Sequence, residues 1–162
     1  MSLRDKSKFL RAYSYALPSL FIWILVLLVY WPGLMSHDSV VQWAEIVARQ
    51  FSDFHPAFHT LFGLVSSSIF GGTPAGIAII QVLALSFVCG WGIAYFEELG
   101  LPRWVCWTSA ILFTLLPVNF VLVNTIWKDV PYSISVLLLS IIFLKIYKTN
   151  GQWLKGTRFV WL

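Results

Sequence analysis

The longest uncharged stretch of the chain runs from Phe54 to Phe96 and contains no Asp, Glu, Lys or Arg. Each helix that crosses a bilayer needs about 20 consecutive apolar residues, so this stretch can supply more than one membrane element. Over the whole chain, 59% of the residues are hydrophobic and 11% are charged, whereas a soluble domain carries about 25% charged residues. The composition therefore predicts a polytopic membrane protein and excludes intrinsic disorder, which requires low hydrophobicity and high charge.

Four apolar runs are long enough to cross a membrane, at about residues 12–31, 73–96, 104–127 and 130–147. A basic cluster precedes the first run, and the bulky residues around Tyr30 and Trp31 leave no small-residue cleavage site after it. These features predict an uncleaved anchor with a cytoplasmic N-terminus rather than a signal peptide. The net charge of +4 comes from terminal clusters, which indicates membrane orientation and not nucleic-acid binding.

The segment 57–70 is apolar but short, and the distribution of basic residues decides whether it crosses the membrane. If it crosses, six basic residues lie outside and five inside. If it lies flat on the outer face, nine of the 11 lie inside and only Arg49 and Lys128 lie outside. The second arrangement follows the positive-inside rule, so we expect four crossings and an interfacial segment.

Helical periodicity supports interfacial helices at 39–51 and 57–70. Apolar residues recur at helical spacing in both segments, which is typical of a helix lying on a membrane. The second segment carries the stripe Phe58, Leu61, Phe62, Val65 and Ile69. We therefore predict an all-α membrane fold with four transmembrane helices and two amphipathic interfacial helices between the first and second spans. Residues 156–162 resemble the start of another apolar segment, so we expect residues 1–162 to be the N-terminal part of a longer protein.

The outer side of this topology holds two separate acidic positions. Asp38 follows the first span, and one interpretation is helix capping, in which Asp38 or Ser39 begins the helix and Ser39 forms a capping box with Gln42. The other is a carboxylate held at the membrane face as a general base. Lys128 and Asp129 lie between the third and fourth spans, where a short polar turn is the simpler interpretation.

Two histidines four residues apart, His55 and His59, begin the second interfacial segment beside Asp53. This is the spacing of two metal ligands on one helical face. Without a third spaced ligand the zinc signal is weak, and a helix cap with interfacial histidines explains the residues equally well. Cys89 and Cys106 lie inside apolar runs, where they are expected to pack as small apolar residues.

A series of short motifs along the chain resembles that of a known superfamily. The series consists of Trp31-Pro-Gly, Asp38-Ser, Gln42-Trp43, His55-Pro56 and Lys128-Asp129. Together with the topology, it is similar to the N-terminal half of the GT-C membrane glycosyltransferases, which include protein O-mannosyltransferases and the lipid A aminoarabinose transferase. The likeness is greatest to a bacterial branch of largely uncharacterised members.

The resemblance implies an enzyme that moves a sugar from a polyprenyl-phosphate donor to an acceptor at the extracytoplasmic face of the bacterial plasma membrane. Asp38 matches the catalytic carboxylate of the first outer loop, and Asp129 matches the acidic residue of the next. Substrate-binding candidates are His37, Gln42, His55 and Lys128. A divalent metal, Mg or Mn, is a possible cofactor, with Asp38, Asp129, His55 and His59 as its candidate ligands. The expected partners are the lipid-linked donor, membrane lipids and an acceptor, without nucleic acid.

Two other functions remain open. A transporter or channel subunit would line a polar path with Asn124, Lys128 and Asp129, but polar residues near the midplane of several spans are expected for that class. A non-catalytic scaffold would use the amphipathic helices to bind a partner, but this role does not require carboxylates in two separate outer loops.

Overall fold

The computed structural model describes residues 3–50 and 57–156, and these are helical apart from short connections. The helices are α1 (Leu3–Val29), α2 (His37–Ala48), α3 (Ala57–Ile69), α4 (Ala75–Glu98), α5 (Arg103–Leu115), α6 (Pro117–Val123), α7 (Asp129–Lys148) and α8 (Gln152–Gly156). In the described part of the chain the only β pairing is an isolated bridge between Leu34 and Thr125. The all-α prediction is therefore confirmed.

Three helices are individually long and apolar enough to cross a membrane: α1 over Ser7–Val29, α4 over its full length, and α7. The predicted third span, at 104–127, is divided into α5 and α6, which meet at an angle of 61°. The chain thus has three candidate spans, or four if the bent pair counts as one. These apolar helices support an integral membrane protein.

The bend between α5 and α6 follows from Pro117, which has no amide hydrogen to continue the helix. Leu116 adopts an extended conformation there, and Pro117 begins α6. Two carbonyls of the last turn of α5 are satisfied by side chains instead. The Asn119 amide donates to the Phe113 carbonyl at 2.8 Å, and the Trp23 indole donates to the Thr114 carbonyl at 3.0 Å. A broken helix is tolerated at membrane depth when neighbouring groups complete its hydrogen bonds in this way.

The most extensive helix–helix packing in the described part of the chain is between α1 and α4. Gly90 lies against the first half of α1, where an added Cβ would come within 2.8 Å of the Ala16 Cβ. Small residues let transmembrane helices approach this closely. Further along the same pair, Trp23 is fully buried among Val82 and Val123, which joins α1, α4 and α6 in one apolar cluster.

Charged residues gather at the end of the bundle where α1 begins, α4 ends and α5 begins; we call this the basic end. Glu97 lies at its centre, with a side chain only 8% exposed. It accepts hydrogen bonds from the Tyr15 hydroxyl at 2.9 Å and the Arg103 guanidinium at 2.8 Å, and Arg11 lies 3.6 Å away. Glu97 is thus the ionic junction of α1, α4 and α5.

The opposite end, which we call the loop end, carries α2, α3 and the connections 30–36 and 124–128. α3 turns its small polar side chains inward and most of its apolar side chains outward. α2 is mixed, since it buries Ser39, Gln42 and Ile46 and exposes Val40 and Val47. In α3, Thr60, Ser66 and Ser67 are buried, while Phe58, Leu61, Val65 and Ile69 are exposed. The predicted apolar stripe therefore exists, and it faces away from the rest of the protein, as a lipid-facing helix requires.

Candidate functional site

The two connections that carry the acidic residues are joined at the loop end by main-chain hydrogen bonds. The Leu34 amide donates to the Asn124 carbonyl at 2.8 Å, and the Ile126 amide donates to the Leu34 carbonyl at 2.9 Å. The Ser39 hydroxyl adds a hydrogen bond to the Ile126 carbonyl. The start of α2 is thereby anchored two residues from Lys128, so segments distant in sequence form one surface.

Asp38 does not cap α2. The cap is Ser36, whose hydroxyl accepts from the Ser39 amide at 3.2 Å. The predicted capping box of Ser39 and Gln42 does not form, because the Ser39 hydroxyl donates to the Ile126 carbonyl instead. Asp38 is exposed in the first turn of the helix, where a negative charge stabilises the helix dipole. The neighbouring candidate, His37, is also exposed.

A cavity of about 290 Å³ opens between α3 and α7, and we call it the α3–α7 cavity. It brings together three of the predicted residues: His59, Lys128 and Asp129. Its other lining residues are Phe58, Pro131, Tyr132 and Ser135. One wall is thus charged and hydroxyl-bearing and the other is aromatic, a combination suited to an amphipathic ligand.

The polar wall of this cavity is built by the start of α7. Lys128 occupies the cap position with no side-chain capping bond, and Asp129 is the first helical residue. Lys128 is half-buried and Asp129 is exposed, so both remain accessible from the cavity. An ammonium beside a helix N-terminus favours an anion, and a carboxylate beside it can accept a proton from a hydroxyl group.

A second cavity, of about 310 Å³, lies on the other side of Asp129 between α4, α5, α6 and α7. Asp129 is the residue that it shares with the α3–α7 cavity. Asn119, Trp127 and Ser133 supply its remaining polar groups, and the rest of its lining is apolar. Asp129 therefore borders two compartments, each large enough for a small molecule.

The structure does not bring all the predicted residues to these compartments. Asp38 and Gln42 line neither of the two cavities that Asp129 borders. The Gln42 amide is buried, and its nitrogen has no hydrogen-bond partner among the residues described. His55, together with Asp53, lies outside the described residues.

The candidate metal ligands are only partly assembled. His59 and Asp129 line the same cavity, but Asp38 does not line it. Within residues 3–50 and 57–156, no three His, Cys, Asp or Glu side chains are grouped closely enough to hold a metal ion. The cation in the α3–α7 cavity is the ammonium of Lys128, so the described residues fit a bound anion better than a bound metal, and the metal site stays a prediction.

Sequence reasoning did not identify the hydrogen-bond acceptors that fix the third span to its neighbours. The Gln81 amide, fully buried, donates to the Val123 and Thr125 carbonyls at 3.0 and 2.9 Å. Asn124, also fully buried, donates to the carbonyls of Trp23 and Phe120. The sequence does predict an interhelical role for Gln81, but the acceptors are main-chain groups that no residue pattern reveals. Tyr132 and Ser135 were likewise missed; their spacing from Asp129 on one helix was the available signal.

No protein-family model, curated protein or solved structure matches this chain.

Proposed function

We propose that this chain forms part of an integral membrane glycosyltransferase that moves a sugar from a polyprenyl-phosphate donor to an acceptor. The observation that carries the proposal is the α3–α7 cavity, in which Lys128 and Asp129 share the lining with aromatic side chains. The exposed apolar side chains of α3 lie beside this cavity. A polyprenyl-phosphate sugar is likewise part apolar and part charged, since its hydrocarbon chain requires lipid and its phosphate requires a polar interface.

The chemistry divides between two neighbouring side chains. The acceptor oxygen attacks the anomeric carbon, the bond from that carbon to the phosphate oxygen breaks, and polyprenyl phosphate leaves. Asp129 takes the proton of the acceptor hydroxyl, and the Lys128 ammonium stabilises the charge that develops on the departing phosphate. We assign the base to Asp129 rather than Asp38, because Asp129 shares a cavity with Lys128.

The membrane placement is part of the same proposal. The loop end faces the extracytoplasmic side, α2 and α3 lie in that interface, and α5 with α6 forms one bent span. The basic end then faces the cytoplasm, which agrees with the positive-inside rule. A donor lipid reaches the α3–α7 cavity along the exposed apolar side chains of α3.

The transporter alternative has less support from the geometry. It requires Asn124 to line a polar path with Lys128 and Asp129. Asn124 is instead fully buried, and its amide is bonded to main-chain carbonyls of α1 and α6. These bonds give Asn124 a structural role in the bundle.

The binding step is tested with a photoreactive polyprenyl monophosphate in membranes that contain the chain. Crosslinking is expected within α3 or α7 and should be suppressed by excess polyprenyl phosphate, but not by the uncharged polyprenol. Lys128→Gln should reduce crosslinking several-fold because one charge-assisted contact is lost. Lys148→Gln, at the far end of the same helix, is the matched control and should leave it unchanged.

The catalytic step is tested by transfer from lipid-linked sugars of the native membrane. Asp129→Asn should retain crosslinking and thermal stability while transfer falls by about 100-fold or more, the scale of a lost general base. Asp38→Asn is the comparison, and it should change transfer less because Asp38 does not line this cavity. A larger loss in Asp38→Asn than in Asp129→Asn would return the base to Asp38. Equal suppression of crosslinking by polyprenol and by polyprenyl phosphate would remove the basis for a phosphate donor.

A further inference from the structure

A third cavity, of about 200 Å³, lies at the basic end between α1, α4 and α7. It is separate from the proposed transfer site, because α7 contributes its last turn here and its first turns there. Its lining residues are Lys8, Phe9, Ala12, Trp91, Ala94, Tyr95, Glu98 and Lys145. A water molecule occupies about 30 Å³, so the cavity admits a group of several heavy atoms, such as a phosphate with its ester carbons.

Two ammonium groups face this cavity against a single carboxylate. Lys8 is paired with Glu98 at 2.9 Å. Lys145 has no carboxylate within 4.0 Å among the described side chains. Its ammonium is held instead over the rings of Trp91, Tyr95 and Trp153, at 4.7, 4.9 and 5.6 Å from their centroids. The aromatic rings fix the position of this cation without neutralising it.

The neighbouring acid cannot supply the missing counter-charge. Glu97 is already engaged by Arg103 and Tyr15, with Arg11 nearby. Counted over the described side chains, the cavity therefore keeps a net positive charge with its cations in fixed positions, and this arrangement favours an anionic ligand.

An apolar surface leads away from the cavity along α1 and α4. Phe9 is 64% exposed beside the cavity. One turn further along, the rings of Tyr13 and Phe87 lie 6.1 Å apart, with both side chains exposed. A hydrocarbon chain attached to a ligand in the cavity would lie over these rings, within the apolar part of the bundle.

We infer that this cavity binds the phosphate of an anionic phospholipid, with Lys8 and Lys145 as the phosphate contacts and the Phe9–Tyr13–Phe87 surface as the seat of an acyl chain. Basic pockets between transmembrane helices are suited to anionic lipid headgroups. A soluble phosphate shares the headgroup chemistry, but it has no hydrocarbon chain to contact the apolar surface. The bound lipid bridges α1 and α7 at the end where Glu98 joins α1 to α4.

The inference is tested by titrating the purified chain in neutral detergent with fluorescent phosphatidylglycerol. Unlabelled phosphatidylglycerol should displace the probe, whereas phosphatidylcholine and inorganic phosphate should not. Lys145→Gln should weaken binding about fivefold, because one lysine near an anionic lipid surface contributes about 1 kcal/mol. Lys145→Arg keeps the charge and should bind nearly as well as the unaltered chain.

Lys148→Gln is the matched control, since Lys148 belongs to the same last turn but does not line the cavity. It should alter the dissociation constant less than twofold. If Lys145→Gln unfolds the chain, Lys8→Gln carries the same test. Equal weakening by Lys145→Gln and Lys148→Gln would overturn the site in favour of diffuse surface charge. Displacement by inorganic phosphate as effectively as by phosphatidylglycerol would overturn the lipid assignment.

Discussion

At the scale of single residues, hydrogen bonds from polar side chains to main-chain carbonyls define this protein. Trp23, Gln81, Asn119 and Asn124 each donate to a carbonyl of the third apolar segment or the turn that follows it. Pro117 removes an amide from that segment, and Asn119 and Trp23 donate to carbonyls at the end of α5. Gln81 and Asn124 donate to carbonyls of α6 and of the turn after it. These four side chains therefore compensate for one irregular backbone.

Replacement of Trp23 by Phe tests this compensation. The Thr114 carbonyl would lose its indole donor in a fully buried position, and an unsatisfied buried acceptor costs about 1–3 kcal/mol. We expect a clear fall in the detergent melting temperature. Trp104→Phe is the matched control because Trp104 is 72% exposed, and it should melt within a degree or two of the unaltered chain. Equal melting of the two variants would refute the compensating role of Trp23.

At the scale of helices, α3 shows why composition alone does not describe a membrane protein. Its small polar residues face the bundle and most of its large apolar residues face outward. In water such helices would be arranged in the opposite way. The apolar stripe seen in the sequence therefore marks the surface of this protein and not its core.

Cysteine labelling tests the topology that follows from this arrangement. In a chain with Cys89 and Cys106 replaced by Ala, a cysteine at exposed Ser68, at the end of α3, should react with an impermeant reagent from the extracytoplasmic side. A cysteine at exposed Lys148 should react only after permeabilisation. Ser67 is unsuitable for this purpose because its side chain is buried. The reverse pattern, with Lys148 labelled from outside and Ser68 only after permeabilisation, would mean an additional crossing by α3. Labelling of both positions from the same side would mean that α5 and α6 do not cross the membrane together.

The membrane-spanning helices could be predicted from the sequence because each is a long uncharged apolar run. The expected segments 73–96 and 130–147 differ from α4 and α7 by one or two residues at each end. The bend at Pro117 also has a cause that is visible in the sequence, since proline removes an amide hydrogen. The grouping of Lys128 and Asp129 with His59, without Asp38, could not be predicted. It depends on how α3 and α7 each pack against α4, which no local pattern records.

At the scale of the whole molecule, the close contact of α1 with α4 determines how the other helices pack. Gly90 and Gly92 lie on α4 only two residues apart, yet they face different neighbours. A Cβ on Gly90 would meet main-chain atoms of α1, whereas a Cβ on Gly92 would meet the flexible end of the Ile141 side chain. Of the two glycines, only Gly90 therefore lies against rigid main-chain atoms that cannot move aside for a larger side chain.

This difference gives a paired prediction. Gly90→Ala should lower the stability by about 1–3 kcal/mol, the usual cost of overpacking a core. Gly92→Ala should have a small effect, because Ile141 can shift and alanine favours the helix. Unfolding in mixed micelles measures both variants under one condition. Similar losses in the two variants would show that the α1–α4 contact is less constrained than the packing indicates.

The pairing of Leu34 with Thr125 has a consequence for how the protein is made. Ser39 and Ile126, which strengthen that pairing, are 87 residues apart in the chain. During synthesis, the segment after the first span emerges long before its partner exists. The α3–α7 cavity therefore remains incomplete until the last of these helices has entered the membrane. Until then, the Ser39 hydroxyl lacks its Ile126 acceptor and can bond only to nearby groups such as the Ser36 hydroxyl.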